Sequence, residues 1–178
     1  MANYITASRV ILIFPILYLV SDQESFLNWI ALILFVVAGL SDHLDGYIAR
    51  RTGTASPVGG LLDLIADKLL TCITVLYLLS FSSNKVLIIP ALLIISRELI
   101  ISSLREFIVE KMGKNPVKVS FIAKSKTTFQ IIALSFLIIS PNFGEDFYSI
   151  TIFLFWLAAY LSLHSLISYF ITYKNLLN

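Results

Sequence analysis

Residues 42–67 read DHLDGYIARRTGTASPVGGLLDLIAD, and they set four carboxylates, Asp42, Asp45, Asp63 and Asp67, in an otherwise apolar part of the chain. The first pair is three residues apart and the second four. In helices each pair therefore projects from one face, with Cβ atoms about 5–6 Å apart. Pro57 and the glycines beside it mark a short turn between two antiparallel helices. With a rise of about 1.5 Å per residue, Asp42 lies about 12 Å below Arg50 and Asp67 a similar depth below Gly59. Both pairs thus fall in one layer.

The chain around this hairpin belongs in a bilayer. Of 178 residues, 58% are apolar or aromatic and 13% charged, whereas soluble domains run nearer a quarter charged. With 13 Lys and Arg against 11 Asp and Glu, nothing points to nucleic acid as a partner. Apolar segments of about 20 residues, the length that crosses a bilayer, run over 5–20, 26–50, 60–81, 86–109, 119–140 and 147–173. The expectation is an all-α, polytopic membrane protein of six transmembrane helices forming one domain over 1–178. The first segment holds Arg9 and lacks a basic leader or small-residue cleavage site, so it is expected to stay. Pro15 and Pro90 are expected to bend helices one and four. Cys72 is alone, which excludes an internal disulfide.

Six spans put both termini and the loops 51–58 and 110–118 on one side. Arg50, Arg51, Lys111, Lys114, Lys118 and Lys174 gather there, while Asp22, Glu24, Glu145 and Asp146 flank the other side with only Lys85. The positive-inside rule makes the first side cytoplasmic, so a cytoplasmic (inner) membrane location is expected.

Four acids at that depth are costly against lipid, so they must face the bundle interior and be neutralised. Lys68 and Arg50 cannot do this alone. Carboxylate ligation suits a hard cation such as Mg2+ or Mn2+, and two ions sharing four Asp match the arrangement used for in-line displacement at phosphorus. Gly46 removes a side chain where a nucleotide would approach the helix, and Gly59 does the same opposite it; helix packing is the alternative for both. Arg50, one turn above Gly46, suits a pyrophosphate, whereas Arg51 reads as a residue reaching to the headgroups.

The spacing D-x2-D-G-x2-A-R-x8-G-x3-D-x3-D, with Ala49 as its alanine, resembles position for position the signature of the CDP-alcohol phosphatidyltransferases. The resemblance implies a six-helix fold, usually a homodimer, in which the four Asp bind two divalent ions and Asp67 also serves as general base. It further implies that Gly46, Ala49, Arg50 and Gly59 cradle the CDP moiety. NYITASR at the N-terminus, with Asn3, Thr6 and Arg9, resembles the opening motif of the same family, in which the Asn and Thr lie near the nucleotide. ISRELIISSLREF from Ile95 and IAKSKTT from Ile122 are similar to bacterial members whose acceptor is glycerol 3-phosphate and whose donor is CDP-diacylglycerol. His43 departs from the aromatic residue often found there and reads as space-filling, and His164 reads as structural.

An anionic acceptor also fits the bases of helices four and five. Arg105, Lys124 and Lys126 are candidates for the acceptor phosphate, since a dianion calls for two or more cationic donors. Pairing with Glu98, Glu106 and Glu110, or with lipid headgroups, is the alternative, and Arg97 beside Glu98 reads as structural. A Ser nucleophile with a His partner is not visible, which favours direct transfer. The rival readings are a sister enzyme using inositol phosphate, serine or phosphatidylglycerol, and a divalent-cation transporter with a site near the midplane.

Overall fold

The computed structural model describes the backbone of residues 2–22, 24–52, 57–82, 84–113 and 121–177, and the side chains of these apart from 2–7, 42–52, 57–58, 60–61, 63, 112, 121–125 and 175–177. Six α-helices and no strand occur among the described residues. They are α1 (Ala2–Ser21), α2 (Ser25–Thr52), α3 (Pro57–Phe81), α4 (Ile88–Met112), α5 (Phe121–Ile139) and α6 (Glu145–Leu177). Short 3-10 turns at Lys85–Leu87 and Ser140–Asn142 lead into α4 and follow α5. Each helix covers one of the six apolar segments.

The helix ends follow from local chemistry. Glu145 and Asp146 occupy the first turn of α6 and Lys174 its last, each at the end of the helix dipole that attracts its charge. α4 stops at Gly113, which adopts φ 69° and returns its N–H to the Val109 carbonyl at 2.8 Å. That left-handed cap favours glycine. α1 runs through Pro15 without interruption. The bend expected at Pro90 needs correction, because α4 begins at Ile88 and Pro90 falls in its first turn. There the missing N–H belongs to the group that has no partner inside a helix anyway.

Burial is inverted relative to a soluble protein. Phe14 and Tyr18 on α1, Ile33 and Val37 on α2, and Phe153 and Tyr160 on α6 are exposed. Arg9, Arg97, Glu98, Lys126 and Gln130 are buried, Arg9 to 1%. An apolar outer surface over a partly polar interior is what lipid as solvent selects. Small residues mark the buried faces, Ala31 and Ala38 on α2 and Ala158 and Ala159 on α6, and they let helix backbones approach closely. Among the described residues, Leu64–Phe81, Lys85–Lys111 and Glu145–Lys174 are long and apolar enough to cross a membrane, with shorter apolar helices at Ser8–Ser21 and Ser25–Ser41. The chain is a membrane protein.

The chain divides into two units, Met1–Ser83 with Leu134–Ser149, and Asn84–Ala133 with Ile150–Asn178. In the first, α1 packs on both α2 and α3. One end of this unit is tied by side chains: Asn28 Nδ2 donates to Asn142 Oδ1 at 2.8 Å, Asn142 Nδ2 donates to the Ser25 carbonyl at 3.1 Å, and Ser82 Oγ meets Tyr148 OH at 3.0 Å. Trp29 lies edge-on to Phe143, and Phe143 stacks on Phe147 at 4.4 Å between centroids. Such aromatic and amide groups suit the membrane–water boundary. In the second unit, α4 and α6 run parallel, with Arg97 bonded to Ser165 and Arg105 further along over Tyr169.

Candidate active site

The carboxylates stand on two continuous helices. α2 is helical through positions 42, 45, 46, 49 and 50 to Thr52, and α3 is helical from Pro57 through 59, 63 and 67. The three- and four-residue spacings therefore act as helical spacings, one turn apart in each pair. The side chains of Asp42, Asp45, Ala49, Arg50, Asp63, Asn3, Thr6, His43 and Lys124, together with Gly46, lie outside the described residues at the level of side-chain surroundings. Asp67 is described and half-buried between Ala66 and Leu70, both buried, while Leu64 and Ile65 face outward. It therefore lies toward the inner side of α3, and it and Lys68 both have interaction partners. Gly59, also half-buried, sits in the first turn of α3, the helix end whose dipole favours an anion. Among the described residues no group of three or more His, Cys, Asp and Glu gathers to hold a metal; Asp67 is the one carboxylate of the four with a described side chain.

Arg9 belongs to the opening motif, but the sequence assigned it no partner. It lies on α1 with 1% of its surface exposed, and its Nε donates to Ser41 Oγ at 3.4 Å. Ser41 in turn donates to the Ala38 carbonyl at 2.8 Å. A cation is thereby brought to α2 at the residue preceding Asp42, adding to the few bases that α2 and α3 carry themselves. The available signal was an arginine within an apolar run, which must find a partner inside the bundle.

The bases considered for an acceptor phosphate belong to the second unit and take different surroundings. Lys126, 4% exposed, donates to Glu98 Oε1, and the Glu98 carboxylate also receives Arg97 Nη1 at 3.4 Å and Gln130 Nε2 at 3.5 Å. Arg97 Nη2 reaches Ser165 Oγ at 2.9 Å. The structural reading of Arg97 thus has a concrete form, a buried network across α4, α5 and α6. Arg105 does not share it: the guanidinium lies over the Tyr169 ring, 5.7 Å from the centroid. His164 is exposed, with its ring near Tyr160.

Comparison with protein families matches residues 1–164 to the CDP-alcohol phosphatidyltransferases. Among curated proteins, one from Rickettsia typhi is 38% identical over 94% of this chain and 93% of its own length. A Salmonella choleraesuis protein is 36% identical over 93% and 90%, and one from Escherichia coli is 38% identical over 78% and 75%. All three are named CDP-diacylglycerol--glycerol-3-phosphate 3-phosphatidyltransferase. Two helices carrying the eight-position carboxylate pattern, an inverted membrane fold and a family match over nearly the whole length agree: the chain belongs to the CDP-alcohol phosphatidyltransferase family.

Proposed function

We propose that this chain transfers the phosphatidyl group of CDP-diacylglycerol to sn-glycerol 3-phosphate, giving phosphatidylglycerophosphate and CMP. The observation that carries the reading is the D-x2-D-G-x2-A-R-x8-G-x3-D-x3-D pattern on α2 and α3, together with relatives named for this donor and acceptor. The family match extends through both units, which supports a single functional domain over 1–178. A homodimer is proposed on the family likeness alone.

Asp42, Asp45, Asp63 and Asp67 offer a hard oxygen donor set, which fits two Mg2+ or Mn2+ ions, and the family is generally dependent on divalent metal. When bound, such ions neutralise charge on the pyrophosphate and on departing CMP. Gly46, Ala49, Arg50, Gly59, Asn3 and Thr6 bind the CDP moiety, the guanidinium facing phosphate oxygens. Arg105, Lys124 and Lys126 supply positive charge for the acceptor phosphate, Lys126 acting through its share in the Glu98 network. Asp67 takes the proton of the primary hydroxyl. That oxygen bonds to the phosphorus bearing diacylglycerol as the bond from phosphorus to CMP breaks, and CMP leaves with the electron pair. The acyl chains stay in the inner leaflet, and the acceptor arrives from the cytosol.

The test is CMP release by purified protein in detergent micelles with CDP-diacylglycerol and Mg2+, offering glycerol 3-phosphate, inositol phosphate, serine or phosphatidylglycerol singly. Release with glycerol 3-phosphate, abolished by chelation and by Asp67→Asn, is expected. Release with a different acceptor would keep the donor and metals but replace the acceptor, and no release with any would sink the enzymatic reading in favour of cation transport.

A further inference from the structure

The parallel pair α4 and α6 carries two buried tyrosines, close to Arg105, that the proposed reaction has not used. Tyr169 and Tyr173, one turn apart on α6, are 9% and 8% exposed and pack with Ile101 and Ile108 of α4. Neither phenolic oxygen has a hydrogen-bond partner among the described residues, and neither does Nε of Arg105, whose guanidinium lies over the Tyr169 ring. Arg105 is half-buried, touches the Tyr169 ring, and makes no ion pair among the described residues. Glu106 and Glu110 on its own helix are exposed. Glu98 is occupied by Lys126, Arg97 and Gln130.

A buried hydroxyl without a partner is costly, and native structures keep such groups where something else satisfies them. Here two hydroxyls and a guanidinium N–H, all able to donate, occur on facing helices, with a positive charge that has no ion pair among the described residues. A water molecule could accept from one or two of these donors but would leave the charge unbalanced. A phosphate offers several acceptor oxygens and the missing negative charge together. We propose that Arg105 with the Tyr169 and Tyr173 hydroxyls forms a phosphate-binding subsite for the acceptor, α6 supplying the neutral donors and α4 the charge. The role assigned to the tyrosines rests on the reading of glycerol 3-phosphate as acceptor. It also explains how the acceptor phosphate is held where Lys126 is already committed to Glu98.

The test uses Tyr169→Phe, Tyr173→Phe and the double variant, which keep the rings and their packing, with exposed Tyr160→Phe as control. Steady-state CMP release is followed against glycerol 3-phosphate and, separately, against CDP-diacylglycerol in micelles with and without added anionic lipid. The expected result is a KM for glycerol 3-phosphate raised about tenfold or more in the double variant, the loss of a charge-assisted hydrogen bond, with KM for CDP-diacylglycerol within about twofold of wild type. An unchanged KM for glycerol 3-phosphate, a rise in the donor KM instead, or an altered response to anionic lipid alone would overturn the proposal. Binding is also read without turnover, as the shift of the thermal midpoint on adding inorganic phosphate. That shift should be present in wild type and lost in the double variant, and equal shifts would overturn the subsite. Failure of glycerol 3-phosphate to support release in wild type would instead strike the acceptor assignment, leaving the phosphate shift to decide the subsite.

Discussion

At the scale of residues, the most consequential side chain outside the carboxylate pattern is Glu98. It is buried in α4 and accepts from Lys126 and Arg97, with Gln130 also within reach. Within lipid, one carboxylate between two bases is tolerable only while the set is complete, since removing one member strands the others. Glu98→Ala should therefore destabilise the protein by on the order of 3 kcal/mol or more, about 10 °C in thermal midpoint for a chain of this size. Ser165→Ala removes one hydrogen bond to Arg97 and should cost roughly half as much. Thermal unfolding in detergent, followed by tryptophan fluorescence, measures both. A shift below about 2 °C for Glu98→Ala would mean that the network does not hold α4 to α5 and α6.

At the scale of elements, the apolar runs located the helices well: 26–50 was expected and Ser25–Thr52 is observed, 147–173 was expected and Glu145–Leu177 is observed. Apolarity marks a membrane helix without revealing which side of it is buried, because lipid and interior are both apolar. Hence Gln130, Ser165, Tyr169 and Tyr173 gave no signal, and for Lys126 the sequence left an acceptor phosphate and pairing with Glu98, Glu106 or Glu110 both open, which the packing of α5 on α4 resolves toward Glu98. Arg9 could be flagged as a charge needing a partner, but only packing of α1 on α2 supplied Ser41. The carboxylate pattern differs because its spacing is local to two helices, so the sequence alone places it on α2 and α3. The inverted burial gives a prediction about a helix face. Phe153 on α6 is 66% exposed and Ala158 fully buried. Phe153→Asp, harmless on a soluble helix, should cost about 2.5–3.5 kcal/mol facing lipid, whereas Phe153→Leu should be neutral. Ala158→Leu should cost about 1–3 kcal/mol by overpacking, and Ala158→Ser little. Membrane accumulation and thermal midpoints of the four variants check this; an innocuous Phe153→Asp would show that this face meets water or a protein partner.

For the whole molecule, the distribution of charge joins topology to the proposed reaction. Arg50 and Arg51 end α2, Lys111 ends α4 and Lys174 ends α6, while Asp22, Glu24, Glu145 and Asp146 mark the opposite ends. With six helices in succession, this distribution is the basis on which we propose an orientation with both termini cytoplasmic. That orientation would give the proposed chemistry its direction. Asp67 and the bases of α4 would open toward the compartment that supplies a soluble phosphorylated acceptor, and CMP would return there. Fusion reporters decide it: a green fluorescent protein at the C-terminus should fluoresce, alkaline phosphatase joined after Gly144 should be active, and the same enzyme joined after Lys111 inactive. The reverse pattern would place the carboxylate layer on the outer side, where the donor of the inner leaflet cannot reach it, and would overturn the proposed direction of transfer even if the purified protein releases CMP in micelles.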